Sequence, residues 1–555
     1  MSLAVCPATM TLIWLLFGFA VVQAFSVESG LQAKKLEWAD QFRLKAKRMS
    51  LTSNLVEDYA IWKTKRESRI DYNHGYVKSF VKLNRAHRFG VKYEIHPEAT
   101  LDQDVYTVCN AMEGDKYDRY NAETILPEVD GFEAVGKEIV NDKKCTKFVY
   151  VKKDEKSDSK STVWAVYVKK TKTWVPVRYE VLEFNSWLGS KEKHEVWDFY
   201  DYHTDFPKEN VFSLDKFECN NATSHSRESE TVTKHLAFID PENDAHVDHV
   251  FKTFKNTHGR KYDDADEHAF RRSIFKNNMR LIVETNRQNL GYKLTINNFS
   301  DKTSDEMTKY MGLMRRPEGA VGTVPFPYTE KDVEDIVKDL PKDYDTRLLG
   351  YVTYVKNQED CGSCWTFGTT AAVEGALARI NGGRLMSLSN QALVDCTWAF
   401  GAGGCNGGTD IAAYDWMMEY GLPTEAEYGP YTNKDGICNI KNMTQTFPIR
   451  GYTNVSPLSI GALKVALVNH GPLSVSVHVT RAFGQYSSGI FYDTTCDETL
   501  LNHEVTLVGY GERDGDTFWI LKNSWGPSWG LSGYMHISAR DNVCGVATEP
   551  TYVVF

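Results

Sequence analysis

The chain has 555 residues, of which 42% are hydrophobic and 25% charged, and its formal net charge is −10. Its length exceeds what one domain usually holds, and its composition is that of an ordinary globular protein. The negative charge argues against a nucleic-acid-binding protein, because such proteins need positive surface to meet phosphates.

The first 24 residues are predicted to be a secretory signal peptide. An apolar run over residues 11–22 is too short to cross a bilayer, and a small-residue cleavage pattern ends at Ala24. No other run is long enough, so we expect no membrane association. The secretory route implies a lysosomal or secreted protein, and N-glycosylation is predicted at Asn221 and Asn442.

Residues 25–235 are predicted to form a separate, mainly β domain. Apolar and polar residues alternate, as they do in strands, over residues 145–151, 162–168 and 174–184. A short polar turn joins the last two segments and predicts an antiparallel hairpin. Aromatic residues crowd residues 197–202, where packing in a sheet core is a better interpretation than a ligand cavity.

Residues 247–305 are predicted to be mainly helical. Six residues recur every three or four positions and therefore share one helix face: Glu267, Arg271, Phe275, Asn278, Ile282 and Asn286. Spacing alone indicates an ordinary amphipathic helix. The identities, with the motif at 295–301 that follows, resemble the ERFNIN pattern of the inhibitory propeptides that precede cathepsin L-like domains, although Thr295 replaces the usual glycine.

This resemblance implies a latent zymogen whose propeptide docks on the enzyme. An extended segment would then cross the cleft in the direction opposite to a substrate. Residues 306–339 are predicted to be a pro-linker, since its Gly- and Pro-bearing stretch suits exposure and proteolysis. The last domain is expected to span 340–555, beginning near Leu340.

Cys364 stands at the start of a predicted helix, with Gln358 six residues upstream. A thiolate is the nucleophilic form of cysteine, and a helix N-terminus lowers a thiol pKa. The alternatives are a redox dithiol with Cys361 or half of a zinc site. Neither the βαβ pattern of the first nor the second ligand cluster of the second is evident.

His503 opens a predicted buried strand, and Asn523 ends the next one beside Trp525. The order cysteine, histidine, asparagine, at these separations, is typical of sulfhydryl proteases. A lone histidine or a Trp-Gly repeat would more often be structural. The combination with Cys364 therefore indicates nucleophilic catalysis.

These motifs resemble the papain-like, cathepsin L-like cysteine peptidases over roughly the last three hundred residues. The resemblance implies a two-lobed α+β fold, with Cys364 on a helical lobe and His503 and Asn523 on a β-barrel-like lobe. It implies attack by Cys364, an imidazolium at His503 oriented by Asn523, an oxyanion held by Gln358, and shielding by Trp525. No metal or organic cofactor is needed.

The resemblance also implies three disulfides, which require an oxidising compartment: Cys361–Cys405, Cys396–Cys438 and Cys496–Cys544. Cys364 is then the free nucleophile. In the N-terminal block, one pair among Cys109, Cys145 and Cys219 leaves a thiol that is free or joined to another chain.

By the same resemblance, peptide substrates would bind at seven positions: Gly407, Gly408, Thr409, Asp410, Glu504, Trp525 and Glu549. The acids predict that the P2 pocket, which holds the residue before the one attacked, accepts arginine or lysine as well as apolar side chains. Pairing with Glu549 would be worth ~1.5–3 kcal/mol. The alternative is that one or two of these acids face solvent.

The β-rich block ahead of the propeptide resembles the arrangement of the insect 26/29 kDa proteinase, in which the N-terminal part stays beside the catalytic chain. Cleavage would fall in the loose run 223–233. The expected partners are protein or peptide substrates and the chain's own propeptide. Two alternatives remain, namely a dipeptidyl exopeptidase with the N-terminal block as exclusion domain and a non-enzymatic binding or storage protein.

Overall fold

The structure is a computed structural model, and it describes the following residues: 34–52, 55–72, 75–85, 87–99, 105–114, 116, 119–153, 157–185, 191–207, 210–217, 219, 223–224, 240–513 and 515–555. The predicted signal peptide, the predicted glycosylation at Asn221 and most of the predicted cleavage run 223–233 lie outside these residues. Two compact units are formed, one by residues 1–70 with 122–212 and the other by 71–121 with 213–555.

The first unit is a β-sheet. Its strands are β1 (Phe42–Ser50), β2 (Leu55–Lys63), β7 (Glu133–Val140), β8 (Lys143–Lys153), β9 (Ser157–Val168), β10 (Thr173–Asn185) and β11 (Lys191–His203). They are paired in the order β2-β1-β11-β10-β9-β8-β7, and all these pairs are antiparallel. A further strand, β3 (Glu67–Tyr72), crosses the boundary between the two units. The predicted hairpin is present as β9 and β10.

The aromatic run on β11 packs within this sheet. Trp197 lies 4.9 Å from Tyr59 and stacks at 6.4 Å on Phe199, measured between ring centroids. Trp197 also donates its indole N–H to the Glu195 carboxylate at 3.2 Å. The described contacts of this run are therefore those of sheet packing. Cys145, also in this unit, is buried and has a free thiol.

The second unit begins with three antiparallel strands, to which a short parallel strand is added: β4 (Val77–Lys82), β5 (Val91–Ala99), β6 (Val105–Glu113) and β12 (Thr223–Ser224). A disulfide joins Cys109 on β6 to Cys219. This bond settles which of the three N-terminal cysteines are paired.

The propeptide region comes next in the same unit. Its elements are α1 (Asp244–Thr257), α2 (Ala265–Gln288), β13 (Tyr292–Leu294), α3 (Ser304–Met307) and α4 (Glu330–Val337). The predicted face of α2 is the buried one, with Phe275 and Ile282 fully buried. Phe275 packs between Phe251 and Phe254 of α1, at 5.1 and 5.0 Å between ring centroids.

The two asparagines of this face bind backbone rather than apolar neighbours. Asn286 accepts from the Leu294 amide at 2.8 Å and donates to the Leu294 carbonyl at 2.9 Å. Asn278 donates to the Ser300 carbonyl at 2.9 Å. Because each side-chain amide satisfies backbone groups of the returning chain, α2 fixes the path of the segment that follows it.

The catalytic region has a helical and a sheet half. The helices are α5 (Cys364–Ile380), α6 (Asn390–Cys396), α7 (Asp410–Tyr420), α8 (Glu425–Tyr428), α9 (Ile460–His470) and α10 (Arg481–Gly484). The strands are β14 (Tyr344–Asp345), β15 (Leu422–Pro423), β16 (Thr446–Phe447), β17 (Gly451–Asn454), β18 (Leu473–Val477), β19 (Tyr486–Phe491), β20 (His503–Arg513), β21 (Asp516–Lys522), β22 (Tyr534–Ser538) and β23 (Thr551–Val554).

These halves have separate hydrophobic cores. One core packs α5, α6 and α7 around Trp365, Leu393 and Trp416, and the other packs the sheet around Val475 and Leu521. The sheet order is β13-β19-β22-β21-β20-β18-β23-β17, so propeptide strand β13 is paired with β19 of the catalytic half. The predicted two-lobed α+β fold is confirmed.

Within the part of the chain described here, no helix has both the length and the apolar character needed to cross a bilayer.

Candidate active site

The predicted nucleophile, Cys364, is the first residue of α5. The Cys361–Cys405 disulfide and a hydrogen bond from the Gly362 amide to the Cys405 carbonyl at 2.9 Å fix the loop before the helix. The side chain of Cys364 is fully buried, and its Sγ accepts from the backbone amide of Gly312 at 3.2 Å. A residue of the propeptide region therefore covers the sulfur.

Two neighbouring antiparallel strands position His503 and Asn523. His503 is the first residue of β20, and Asn523 follows the last residue of β21. The Nε2–H of His503 donates to Asn523 Oδ1 at 2.8 Å. The ring centroid of Trp525 lies 4.8 Å from that of the imidazole, and Trp525 is itself buried.

Gln358 is buried, and each end of its amide has partners. Its Oε1 accepts from Ser524 Oγ at 2.6 Å, and its Nε2 donates to the carbonyls of Tyr310 at 3.1 Å and Cys361 at 3.0 Å. Because the oxygen is held by Ser524, the N–H₂ group must face the other way, toward Tyr310.

Three predicted residues meet one short piece of the propeptide region. The Tyr310 carbonyl lies 3.1 Å from both Gln358 Nε2 and His503 Nδ1, while the Gly312 amide faces the sulfur of Cys364. Tyr310 and Gly312 are two residues apart in sequence, so the amide, the imidazole and the thiol converge on the same place. The structure brings these residues together, and the sulfur and the imidazole each face the covering segment.

Burial under this segment opposes both charges of the expected ion pair. It raises the pKa of Cys364 to about 12 and lowers the pKa of His503 to about 4. A neutral thiol and a neutral imidazole are therefore favoured at neutral pH. Removing the cover would rehydrate both groups and reduce this penalty on the thiolate and the imidazolium.

The loop at Gly407 and Gly408 presents its backbone to the same segment. The Gly408 amide donates to the Gly312 carbonyl at 2.9 Å, and the Gly408 carbonyl accepts from the Met314 amide at 2.9 Å. Residue 313 pairs with 408 in parallel. The Thr409 side chain does not join this surface, since it caps α7 by accepting from the Ala412 amide.

Arg316 continues the segment into an acidic pocket. Its Nε and Nη2 donate to the two oxygens of Asp410 at 3.0 and 2.6 Å, and Nη2 also donates to the Glu549 carbonyl at 2.8 Å. Oε2 of the Glu549 carboxylate lies 3.6 Å from Arg316 Nε. Asp410 is fully buried and also accepts from Thr551 Oγ1 at 2.7 Å.

Burial alone would lower the pKa of Arg316, but the neighbouring acids Asp410, Glu549 and Glu504 together raise it. The guanidinium is thus fixed as a charged group in a desolvated pocket. Asp410 is its bidentate partner, whereas the sequence analysis assigned this part to Glu549. Arg316 itself was treated as a linker residue, and its position opposite these acids could not be read from the sequence.

Glu504 is buried close enough to this pocket to interact electrostatically with Arg316. It is 1% exposed, and its Oε1 accepts from Ser474 Oγ and, at 3.4 Å, from Thr369 Oγ1. Burial, and secondly the charge of Asp410, raises its pKa well above the ordinary value. Burial therefore disfavours the charged form of this carboxyl.

The remaining sequence predictions concern the surface and the disulfides. Asn442 is exposed, on a short 3₁₀ turn. Three disulfides lie in the catalytic region: Cys361–Cys405, Cys396–Cys438 and Cys496–Cys544. Cys364 is a free thiol, like Cys145.

Comparison with known families matches two parts of the chain. Residues 340–554 match the family described as "Papain family cysteine protease", and residues 251–307 match the "Cathepsin propeptide inhibitor domain". The two matches lie in the order expected of a proenzyme.

Similar proteins come from animals and plants. The chain is 38% identical to "Cathepsin L2" of Homo sapiens over 328 residues, which is 57% of this chain and 95% of the relative. It is 38% identical to "Digestive cysteine proteinase 2" of Homarus americanus over 54% of this chain and 92% of the relative. It is 39% identical to "Pro-cathepsin H" of Medicago truncatula over 55% of this chain and 85% of the relative.

Solved structures of precursor forms are also similar. The digestive procathepsin L2 proteinase of Tenebrio molitor matches with a TM-score of 0.51 and 34% identity, covering 56% of this chain and all of that one. The proform of the ragweed pollen allergen Amb a 11 matches with a TM-score of 0.51 and 31% identity. This match covers 59% of this chain and 89% of the allergen chain.

Proposed function

The chain belongs to the papain family of cysteine proteases, and we propose that it is an endopeptidase whose P2 pocket accepts arginine or lysine as well as apolar side chains. It is a cysteine endopeptidase made as a proenzyme, because it carries both the peptidase domain and the inhibitory propeptide domain of full-length cathepsin-like relatives. The specificity, the residue roles and the later processing are the parts that need testing.

The roles we propose follow from the geometry of the covered site. Once the segment at 310–312 leaves, the Cys364 thiolate attacks the scissile carbonyl and forms a thioester, while His503 gives its proton to the leaving amine. Asn523 Oδ1 keeps the Nε2 tautomer of His503 in place. Gln358 Nε2, already aimed at a carbonyl oxygen, then stabilises the oxyanion, and one such donor is worth about 2.7–4 kcal/mol of barrier.

Labelling by the epoxide E-64 tests the nucleophile and the latency together. We expect the acid-activated protein to be labelled at Cys364 and the intact proenzyme to react far more slowly, since its sulfur is fully buried. A Cys364→Ser variant should not be labelled. Failure to label the activated protein at Cys364 would instead favour a non-enzymatic binding or storage role.

One observation carries the specificity, namely that the pocket already holds an arginine. Arg316 of the chain's own propeptide region donates two hydrogen bonds to the carboxylate of Asp410 in a buried site. A bidentate, charge-assisted pair of this kind is worth ~1.5–3 kcal/mol. A substrate arginine at P2 would replace Arg316 after activation, and Asp410 would be its main partner, with Glu549 at the rim.

The test compares Arg-Arg with Phe-Arg fluorogenic peptides on the activated enzyme. Asp410→Asn should lower kcat/KM for Arg-Arg by roughly 10- to 150-fold, the equivalent of ~1.5–3 kcal/mol, and leave Phe-Arg little changed. Glu549→Ala should have a smaller effect in the same direction. An unchanged ratio of the two peptides in Asp410→Asn would remove the specificity proposal and leave the endopeptidase assignment intact.

We also propose that the N-terminal block, about residues 25–235, is cut from the catalytic chain near 223–233 and stays bound, as in the insect 26/29 kDa proteinase. The domains would then be this block, the propeptide at 247–305, the pro-linker at 306–339 and the peptidase at 340–555. The described disulfides support non-covalent association, because Cys109–Cys219 closes within the first part and the others close within the catalytic part.

Gels of the mature protein test this processing. Two bands are expected both with and without reducing agent, and the two chains should elute together in size-exclusion chromatography. One large band, or separate elution, would refute the retained chain. Such processing fits a lysosomal or secreted protein, and cathepsin-like relatives are typically lysosomal or secreted.

The dipeptidyl exopeptidase alternative makes a different demand on substrates. An exopeptidase needs a free substrate amine, whereas the proposed endopeptidase cleaves peptides whose amine is blocked. Hydrolysis of blocked Phe-Arg peptides would exclude the alternative.

A further inference from the structure

A small polar cavity adjoins the proposed catalytic residues, since Asn523 forms part of its lining. It is bounded by α5 on one side and by strands β20 and β21 on the other, and its lining includes Thr370, Glu504 and Asn523. Its free volume, about 10 Å³ for the centre of a water-sized sphere, is close to the smallest that holds one water molecule.

Three residues of this lining each carry a buried polar side-chain atom without a partner. Within the residues that the structure describes, none forms a hydrogen bond to Thr370 Oγ1, to Glu504 Oε2 or to Asn523 Nδ2. Each side chain is at most 4% exposed. Leaving such an atom unpaired costs about 1–3 kcal/mol, so three at one cavity point to a shared partner.

The charged groups around the cavity already have partners. Lys356 lies 3.3 Å from the Glu374 carboxylate, and Lys522 donates to Thr353 Oγ1 at 2.9 Å. Thr353 in turn donates to Glu374 at 2.5 Å. The three unpaired atoms are therefore the groups to which a molecule in this cavity would hydrogen-bond.

We propose that one water molecule occupies this cavity and ties the amide of Asn523 to the hydroxyl of Thr370 and the carboxyl of Glu504. Its hydrogen bonds balance: the water accepts from Asn523 Nδ2 and donates to Glu504 Oε2 and to Thr370 Oγ1. Three bonds are the usual number for a buried water.

The water makes Thr370 and Glu504 positioning residues for the proposed triad. Asn523 supports His503 only when its oxygen faces Nε2–H, since the flipped amide would set two donors against each other. An acceptor for Nδ2 in the cavity favours the correct orientation. Because Thr370 lies on α5, the helix that begins at Cys364, the same water also links the sulfur-bearing helix to the asparagine.

The test uses the full-length chain after acid activation, with active sites counted by E-64. Thr370→Val keeps the shape of the side chain and removes its hydroxyl. We expect kcat on Phe-Arg peptides to fall roughly three- to tenfold, the effect of losing one buried hydrogen bond, while KM stays within about twofold. Thr370→Ser should restore kcat. The matched control is Thr397→Val, a buried threonine whose hydroxyl donates within its own helix region, to the Leu393 carbonyl.

A double-mutant cycle separates positioning from a general loss of packing. Asn523→Ala should lower kcat, and adding Thr370→Val should lower it no further, since both act through the same amide. Additive losses, an unchanged kcat in Thr370→Val, or a high-resolution crystal structure without density in the cavity would overturn the water inference. This inference rests on the proposed role of Asn523, and full activity of Asn523→Ala would refute that role instead.

Discussion

Arg316 is predicted to hold the proenzyme latent. The segment at 310–316 must leave the cleft before any reagent reaches Cys364, and Arg316 is its most strongly paired side chain in the pocket, with Asp410 buried beneath it. Replacing Arg316 by alanine removes one partner of a buried pair and leaves the carboxylate without its counter-ion.

The magnitude follows from that change. Breaking a buried ion pair by removing one partner costs ~3–5 kcal/mol, which shifts the balance between covered and open cleft by at least two orders of magnitude. Water can enter the space left by the truncated side chain and solvate Asp410, so the lower end applies. We therefore expect a ~100-fold larger open fraction in Arg316→Ala.

The assay measures the rate at which E-64 labels Cys364 in the intact proenzyme at neutral pH. When the cleft opens and closes faster than labelling, this rate is proportional to the open fraction, so ~100-fold faster labelling is expected. Arg316→Lys should fall between, because lysine keeps the charge but not the bidentate fork. Arg315→Ala, at an exposed neighbour, is the control and should match wild type. Equal rates for Arg316→Ala and wild type would refute the reasoning.

Two other predictions concern the propeptide region. Gly312→Ala should also open the cleft and speed labelling at neutral pH, because a Cβ at Gly312 would lie 1.7 Å from the Gly362 carbonyl oxygen; labelling at the wild-type rate would show that the segment passes elsewhere. Burial would raise the pKa of Glu306, but hydrogen bonds from Arg271 and the Thr303 amide lower it to about 2. A carboxyl group whose pKa is lowered by folding stabilises the folded state at pH values above its ordinary pKa of 4.5. This contribution of Glu306 to stability should therefore be lost as pH falls from about 4.5 toward 2. Thermal unfolding of Glu306→Gln should lack that part of the pH dependence, whereas the exposed control Glu334→Gln should keep it.

The placement of the candidate site's residues was predictable because short local segments set it. A cysteine at a helix start, a histidine opening a strand and an asparagine closing the next strand are each set by short segments, and antiparallel pairing of β20 with β21 then brings the last two together. The buried face of α2 was predictable for the same reason, since helical spacing alone decides which residues share a side.

The acidic pocket shows where sequence reasoning was incomplete. Asp410, Glu504 and Glu549 were all predicted to contact substrate, but their roles depend on depth, which no local pattern encodes. Asp410 is fully buried at the start of α7 and binds a guanidinium, whereas burial and the charge of Asp410 raise the pKa of Glu504. Whether a carboxyl is charged depends on what surrounds it in space.

The sequence by itself determined the chemical groups of the candidate site, namely the thiol, the imidazole and the amides. It also determined the helix and strands that carry them. Only the tertiary structure decided that Arg316 occupies the pocket, that Cys109 pairs with Cys219, and that three unpaired polar atoms share one cavity. The physical reason is that pairing and desolvation depend on distances between residues far apart in the chain, and folding alone sets those distances.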